Sequence, residues 1–298
     1  ALLLRPAGSL VEQAVFERPL ELLTTGGGPV GQTALADLLE AVGRAKDDER
    51  ITTLIIETDD LMSGGMSKLG ELRAAILDFK ASGKQVLARG ERFTQAQYYL
   101  ASVADELHLS PDGFVLLLGL ARYSAYFKDA LDTLGVKVHV FRVGEYKSFS
   151  EPFTRSEMSD EDRAASLDLL DGLWTLLRDD IASARKLRPE AVDELVHNYR
   201  DVLAAAGGDA ALAARNSGLV DRFSTRDEWR ARLIALVGMD AEGEDVRMVE
   251  VGPYLAATRR DLPQVDDQIA VLVAQGAIMD GREPAGVDVE YRLRQRAD

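Results

Sequence analysis

One lysine in this sequence stands where an amine could move a proton rather than only carry charge. Lys147 lies in Gly144-Glu145-Tyr146-Lys147-Ser148-Phe149-Ser150-Glu151-Pro152-Phe153-Thr154-Arg155, among small and aromatic residues. The run before it, Val136-Lys137-Val138-His139-Val140-Phe141-Arg142-Val143, alternates apolar and polar as a half-buried strand does, and Gly144 lets the chain turn at its end. That reading puts Lys147 at a sheet edge or mouth. A free lysine titrates near ~10.4 and is protonated at neutral pH, so a general base needs burial or nearby positive charge to bring it to roughly 7 to 8. The rings of Tyr146, Phe149 and Phe153 are placed to supply such burial. A solvated loop lysine is the other reading, and the residues alone leave both open. Ser148 and Ser150, one and three positions away on an extended chain, point differently or too far for a tight hydroxyl–amine pair. Their expected role is to cap or hydrogen-bond the loop.

Other candidate chemistry falls away on spacing. His108, His139 and His197 show no metal-ligand pattern, and His108 and His139 are expected to pack on strand faces. The adjacent pairs Asp59-Asp60, Asp179-Asp180 and Asp266-Asp267 diverge on a helix or face opposite ways on a strand, as solvated charges do. Gly26-Gly27-Gly28-Pro29-Val30-Gly31-Gln32-Thr33 nearly has phosphate-loop spacing, but Gln32 stands where a lysine would reach the phosphates. A tight turn leading into a helix from Ala34 is the preferred reading. With no cysteine in the chain, disulfides, thiolate metal sites and cysteine nucleophiles are excluded.

The elements that must position Lys147 alternate between strand and helix, the pattern of βαβ units around a largely parallel sheet. Strands are expected at the start of the chain and at 51–57, 85–88 and 106–109. Helices are expected at 66–82, about 94–104, 123–134 and about 159–186. An alanine-rich helical stretch runs from Pro189 to Leu236, broken at Gly207-Gly208. A polar linker at 262–267 precedes a new strand, Gln268-Ile269-Ala270-Val271-Leu272-Val273, and marks a candidate domain boundary. At 298 residues and 46% hydrophobic content the chain can fill a large core. A net charge of -15 argues against nucleic acid and against docking on anionic lipid through a basic patch. No apolar run approaches the roughly 20 residues that span a bilayer.

Several of these words together resemble one family. Val140-Phe141-Arg142-Val143-Gly144, Tyr146-Lys147-Ser148, Glu151-Pro152-Phe153 and Met158-Ser159 are similar to the lysine-bearing segment of the signal peptide peptidase A (protease IV) family in its long, two-repeat form. Gln97-Tyr98-Tyr99-Leu100-Ala101-Ser102, Leu109-Ser110-Pro111 and Gly276-Ala277-Ile278-Met279-Asp280-Gly281 extend the likeness collinearly, from about residue 1 to residue 281. The resemblance implies an α/β, crotonase/Clp protease-like βαβ spiral with an alanine-rich helical lobe. Residues 1–262 would be an N-terminal repeat, and 267–298 the start of a second.

The chemistry implied is a serine–lysine dyad in which unprotonated Lys147 removes the proton of a serine hydroxyl that attacks a peptide carbonyl. In the family that serine lies in the second repeat, and here Ala96 stands in the corresponding place. The serine is therefore expected from a C-terminal repeat, with the site assembled in a homo-oligomeric ring and this chain inactive alone. Gly64-Gly65 occupies the place of oxyanion-hole or substrate-strand contacts. Implied substrates are released signal peptides, lying as an added strand. The resemblance requires no metal or organic cofactor, and it implies a membrane anchor upstream on a periplasm-facing ectodomain of the bacterial inner membrane. Two alternatives stand beside it: an acyl-CoA hydratase-like enzyme of the same fold, and a non-catalytic repeat that shapes an assembly.

Overall fold

The computed structural model describes residues 1–14, 31–141, 143–144 and 146–259. The chain divides into two units, Ala1–Ala257 and Thr258–Asp298, and every element below begins in the first. The linker at 262–267, the expected second repeat at 267–298 and the glycine run from Gly26 to Val30 lie outside the described residues.

The opening Leu-Leu-Leu is β1 (Leu2–Leu4), an interior strand of a parallel sheet. It pairs on one side with β4 (Thr53–Ile56), Leu3 opposite Ile55, and on the other with β9 (Val249–Glu250). Beyond β4 come β6 (Gln85–Gly90), β7 (Glu106–Leu109) and β8 (Arg222–Phe223), all parallel, giving the order β8-β7-β6-β4-β1-β9. Burial on both faces explains why β1 and β4 read as nearly continuous apolar runs. Side chains alternate between two cores. Leu2, Leu4, Leu54, Ile56, Val86 and Leu107 pack on one face, and Leu3, Ile55 and Leu87 meet Trp229 and Leu233 on the other. Each buried leucine contributes on the order of 2 kcal/mol.

A second, three-stranded parallel sheet has the order β3-β2-β5, from β2 (Gly8–Val11), β3 (Gln32–Ala34) and β5 (Leu61–Ser63). Thr33 of the supposed phosphate loop belongs to this sheet, and its hydroxyl donates to the Ala7 carbonyl and accepts from the Ala7 N–H. As expected, a helix follows directly, α1 (Leu35–Asp47).

The crossover helices are α2 (Met66–Ala81), which buries Leu69, Leu72, Ile76 and Phe79, and the short α3 (Gln95–Ala101). Beyond the sheet, α4 (Lys128–Thr133), a 3₁₀ turn (Ser148–Ser150) and α5 (Glu151–Thr154) lead to α6 (Asp160–Arg185). Ser159 caps α6, its hydroxyl accepting the Asp162 N–H. The alanine-rich lobe is α7 (Pro189–His197), α8 (Tyr199–Ala205) and α9 (Ala210–Asn216), and Gly218-Leu219-Val220-Asp221 returns the chain to β8. The helix after β8 is α10 (Arg226–Val237).

Two expectations are corrected. The helix expected over 123–134 contracts to Lys128–Thr133, and the described residues of the 136–143 run are exposed and in no strand. Alternation prepares two faces, but a strand exists only with a hydrogen-bonded neighbour, and among the described residues none pairs with this run. His139, expected to pack, is consequently exposed.

Candidate active site

The place assigned to the nucleophile is the start of α3. Gln97 makes this corner rigid: its carboxamide oxygen accepts the Thr94 N–H at 2.8 Å, and its nitrogen donates to the carbonyls of Leu61 at 3.0 Å and Asp59 at 3.2 Å. The helix start is thereby fixed to the turn before β5. The first two helical residues are Gln95 and Ala96. Ala96 packs against the core. Gln95 turns toward a neighbouring segment, its oxygen accepting from the N–H groups of Leu118 and Gly119 and its nitrogen donating to the Gly119 carbonyl, each at 3.1 Å. Neither side chain is a nucleophile. Gly64 and Gly65 link β5 to α2, with Gly65 as the residue before the first helical turn. Gly64 is packed close: a Cβ there would come within 3.1 Å of Leu69.

From Gly119 the chain leaves this corner and returns at Glu151, and Lys147 lies near the end of that arm. Gly144 makes the expected turn with φ of +106°, and the lysine stem folds over it, Cε 3.9 Å from where a glycine substituent would begin. Lys147 precedes the 3₁₀ turn of Ser148–Ser150 and is exposed in the single chain. The anticipated aromatic burial is not supplied within the chain. Phe149 is 93% exposed and Tyr146 67%, while Phe153 stacks on Phe127 with centroids 6.3 Å apart. These rings bury no amine because the arm stands away from the two cores.

The arm's base, in contrast, is ordered by buried polar groups that sequence reasoning passed over. Glu151 and Asp162 are 2% and 6% exposed, and each is satisfied by several donors. Glu151 accepts the Ser159 N–H at 3.1 Å and its hydroxyl at 2.5 Å. Asp162 accepts from Arg122 at 2.9 Å, and that guanidinium first, with the Ser148 hydroxyl after it, holds its carboxyl below the usual range. Only the motif pair Glu151…Ser159 was visible beforehand, as words without a mechanism. The remaining histidines have structural partners: His108 bridges Ser224 and Glu106, and His197 meets the Asp193 carbonyl. Among the described residues no group of three or more His, Asp or Glu could hold a metal. Two of the Asp pairs are not idle charges: Asp59 accepts the Glu91 N–H, and Asp180 accepts the Tyr99 hydroxyl, while Asp266-Asp267 lies outside the described residues.

A family model described as peptidase family S49 matches residues 78–240, more than half of the chain, and spans α3, the arm and the helical lobe. The chain belongs to peptidase family S49. Protease 4 of Salmonella typhi is 33% identical over 291 residues, covering 96% of this chain and 47% of that protein. Protease 4 of Haemophilus influenzae is 34% identical over 266 residues, covering 88% and 43%. The S49 chain described here thus spans about half the length of the curated relatives it matches. Among solved structures, a 1510-N membrane-bound stomatin-specific protease shares 9% identity, with 84% of this chain and 95% of that one covered at a TM-score of 0.43. The α/β assignment rests on the parallel sheet itself. No helix of the described residues is long and apolar enough to cross a membrane.

Proposed function

We propose that this S49 chain is the base-donating half of a serine peptidase, with Lys147 as the general base and the serine on a segment outside the described residues. The observation that carries this reading is the contrast within the arm. Its foot is clamped by buried polar groups, while the residues around Lys147 present Phe141 at 98%, Phe149 at 93% and Val143 at 85% exposure. A clustered apolar surface of that kind marks a docking site. Covering it would remove water from the amine, and desolvation is what lowers a lysine pKa toward the working range. Gln95 and Ala96, the first two residues of α3, carry no hydroxyl, which is consistent with a serine contributed from elsewhere.

In this reading residues 1–262 form one repeat and 267–298 begin the next. Further copies or the second repeat complete the site in a ring, extended apolar peptides such as released signal peptides are the substrates, and the protein works at a bacterial inner membrane, facing the periplasm. Membership in family S49 favours peptide hydrolysis over acyl-CoA chemistry. An assembly role for the repeat is compatible with donating the base.

The test is Lys147→Ala and Lys147→Arg in protein carrying both repeats, assayed on casein and on a synthetic signal peptide. A loss of at least ~100-fold in rate is expected, the low end of what a positioned base contributes. Activity close to the parent's would overturn the assignment.

A further inference from the structure

Lys147 lies on an exposed arm, and a general base must be held to within a fraction of an ångström to work. A lysine stem cannot supply that constraint by itself, since its rotatable bonds leave the amine free to wander. The constraint has to come from the backbone on which the stem stands. The described residues show where that backbone is fixed.

Asp162 sits in the first turn of α6 and is nearly inaccessible to water, yet the arm reaches it. From the outgoing limb, Arg122 Nη1 donates to Oδ1 at 2.9 Å, and the same nitrogen donates to the Ser166 hydroxyl one turn further along α6. On the returning limb stands Ser148, the residue directly after Lys147, whose hydroxyl helps hold the Asp162 carboxyl below its usual range. Three residues beyond Ser148, Glu151 is buried against the same helix start, taking both the N–H and the hydroxyl of Ser159. Ser159 in turn accepts the Asp162 N–H at 3.1 Å, so one capping residue meets both the Glu151 carboxylate and the Asp162 backbone. A last tie closes the arm, the Phe127 N–H donating to the Pro152 carbonyl at 2.6 Å.

Capping alone does not account for this arrangement. Ser159 would satisfy the helix start without either carboxylate, and burying two carboxylates is costly unless each is met by donors. Here Arg122 of the arm meets the Asp162 carboxylate and Ser159 meets that of Glu151, an arm residue, and the positive end of the α6 dipole favours both negative charges.

On these contacts, and resting on the reading of Lys147 as general base, we infer that Asp162 and Glu151 are positioning residues for Lys147, acting through Ser148, Arg122 and Ser159. They touch no reacting atom. They fix the backbone on the C-terminal side of Lys147 and the root of the outgoing limb, leaving the Gly144 turn to absorb adjustments when the arm is covered.

The experiment uses protein carrying both repeats and compares Asp162→Asn, Glu151→Gln, Ser148→Ala and Ser148→Thr with Lys147→Ala. Asp162→Asn and Glu151→Gln are expected to lower kcat by ~10- to 100-fold with KM within about twofold, as misplacement of a base does. Ser148→Ala, which removes one hydroxyl without touching the helix start, is expected to lower kcat several-fold, and Ser148→Thr to restore it. A second readout needs no turnover: the rate at which trinitrobenzenesulfonate labels Lys147, followed by peptide mapping across pH, is expected to change in Asp162→Asn while labelling of Lys128 does not. Unchanged kcat and labelling in Asp162→Asn and Ser148→Ala, with Lys147→Ala inactive, would overturn this inference and leave the base assignment standing. Full activity in Lys147→Ala would overturn both. Loss in Ser148→Ala as complete as in Lys147→Ala would make Ser148 the nucleophile and overturn its role as a tether.

Discussion

The hydroxyl of Tyr99 donates to Asp180 Oδ2 at 2.5 Å, joining α3 to α6, whose first turn holds the foot of the arm that bears Lys147. Arg73 of α2 completes the joint. Its guanidinium lies 4.9 Å over the Tyr99 ring and donates to the Tyr99 carbonyl at 2.9 Å, the Ser102 hydroxyl at 3.0 Å and the Asp180 carbonyl at 2.6 Å. Three helices that would otherwise meet only through apolar contact are held in one register. Removing the phenol alone deletes one hydrogen bond to a charged group, so Tyr99→Phe is expected to cost about 2 kcal/mol. Arg73→Met removes three hydrogen bonds from a charged donor and the stacking on Tyr99 together, and is expected to cost more, about 3 kcal/mol or above. Urea unfolding of both variants checks the ranking. Equal or reversed losses would show that the joint is not centred on Arg73.

Backbone geometry supports a sharper contrast between two glycines. Gly8 begins β2 with φ of +65°, and a Cβ there would fall 1.5 Å from the Gly31 carbonyl oxygen across the β2–β3 pair. Gly83 has φ of +88°, but nothing lies within 4 Å of its missing Cβ. Gly83→Ala therefore meets only the left-handed backbone penalty, about 1 to 2 kcal/mol. Gly8→Ala adds a backbone collision that only separation of the strands relieves, and its midpoint in urea is expected to fall well below that of Gly83→Ala. Similar midpoints would show that the small sheet yields without cost.

Much of the scaffold was legible in the sequence because the buried parallel strands and long helices carry strong local patterns. The run at 106–109 and the helix at about 159–186 were placed to within a residue or so, since each has a single interpretation: Leu107 and Leu109 alternating with polar residues between turns, and a Ser cap followed by acidic residues. The arm was misread at 136–143 for the opposite reason. Val136, Val138 and Val140 alternate like a half-buried strand, but pairing is a non-local property, and the described chain offers that run no edge. The clamp at Asp162 was illegible because an acidic residue in a helix's first turn is ordinary. Only coordinates bring Arg122 and Ser148 to it from 40 and 14 positions away.

Acid should weaken the fold in two separate windows. His108 lies on the face of β7 against the Trp229 ring, centroids 4.9 Å apart, with Ser224 and Glu106 on its two nitrogens and Arg222 and Arg232 nearby. Burial pushes its pKa below the usual 6.5, outweighing the Glu106 carboxylate that pulls the other way. The unfolded chain therefore takes up this proton first, and stability falls as pH drops below about 6.5. Glu106, held down to about 2 by Arg232, contributes stability above the unfolded carboxylate range and loses it only as pH falls from about 4.5 toward that value. Urea midpoints followed by Trp229 fluorescence are expected to decline between pH 7 and 5, and His108→Gln to flatten that decline. A slope unchanged by the substitution would mean that another group titrates there.

The apolar arm separates stability from assembly more cleanly than any other part of the molecule. Phe141 and Phe149 are almost fully exposed, so in the single chain they contribute little burial, and surface substitutions away from packed contacts are usually within about 0.5 kcal/mol. If the arm docks on a second repeat or a neighbouring copy, a charge at its tip must be desolvated there, which costs far more than the chain itself feels. Phe149→Glu is therefore expected to leave the unfolding midpoint of this chain unchanged while shifting protein that carries both repeats to smaller species in sedimentation and lowering its peptidase rate in step. A variant that sediments like the parent would show that this ring faces solvent in the assembly too. A variant that unfolds early would place Phe149 in the chain's own core, contrary to the exposure observed.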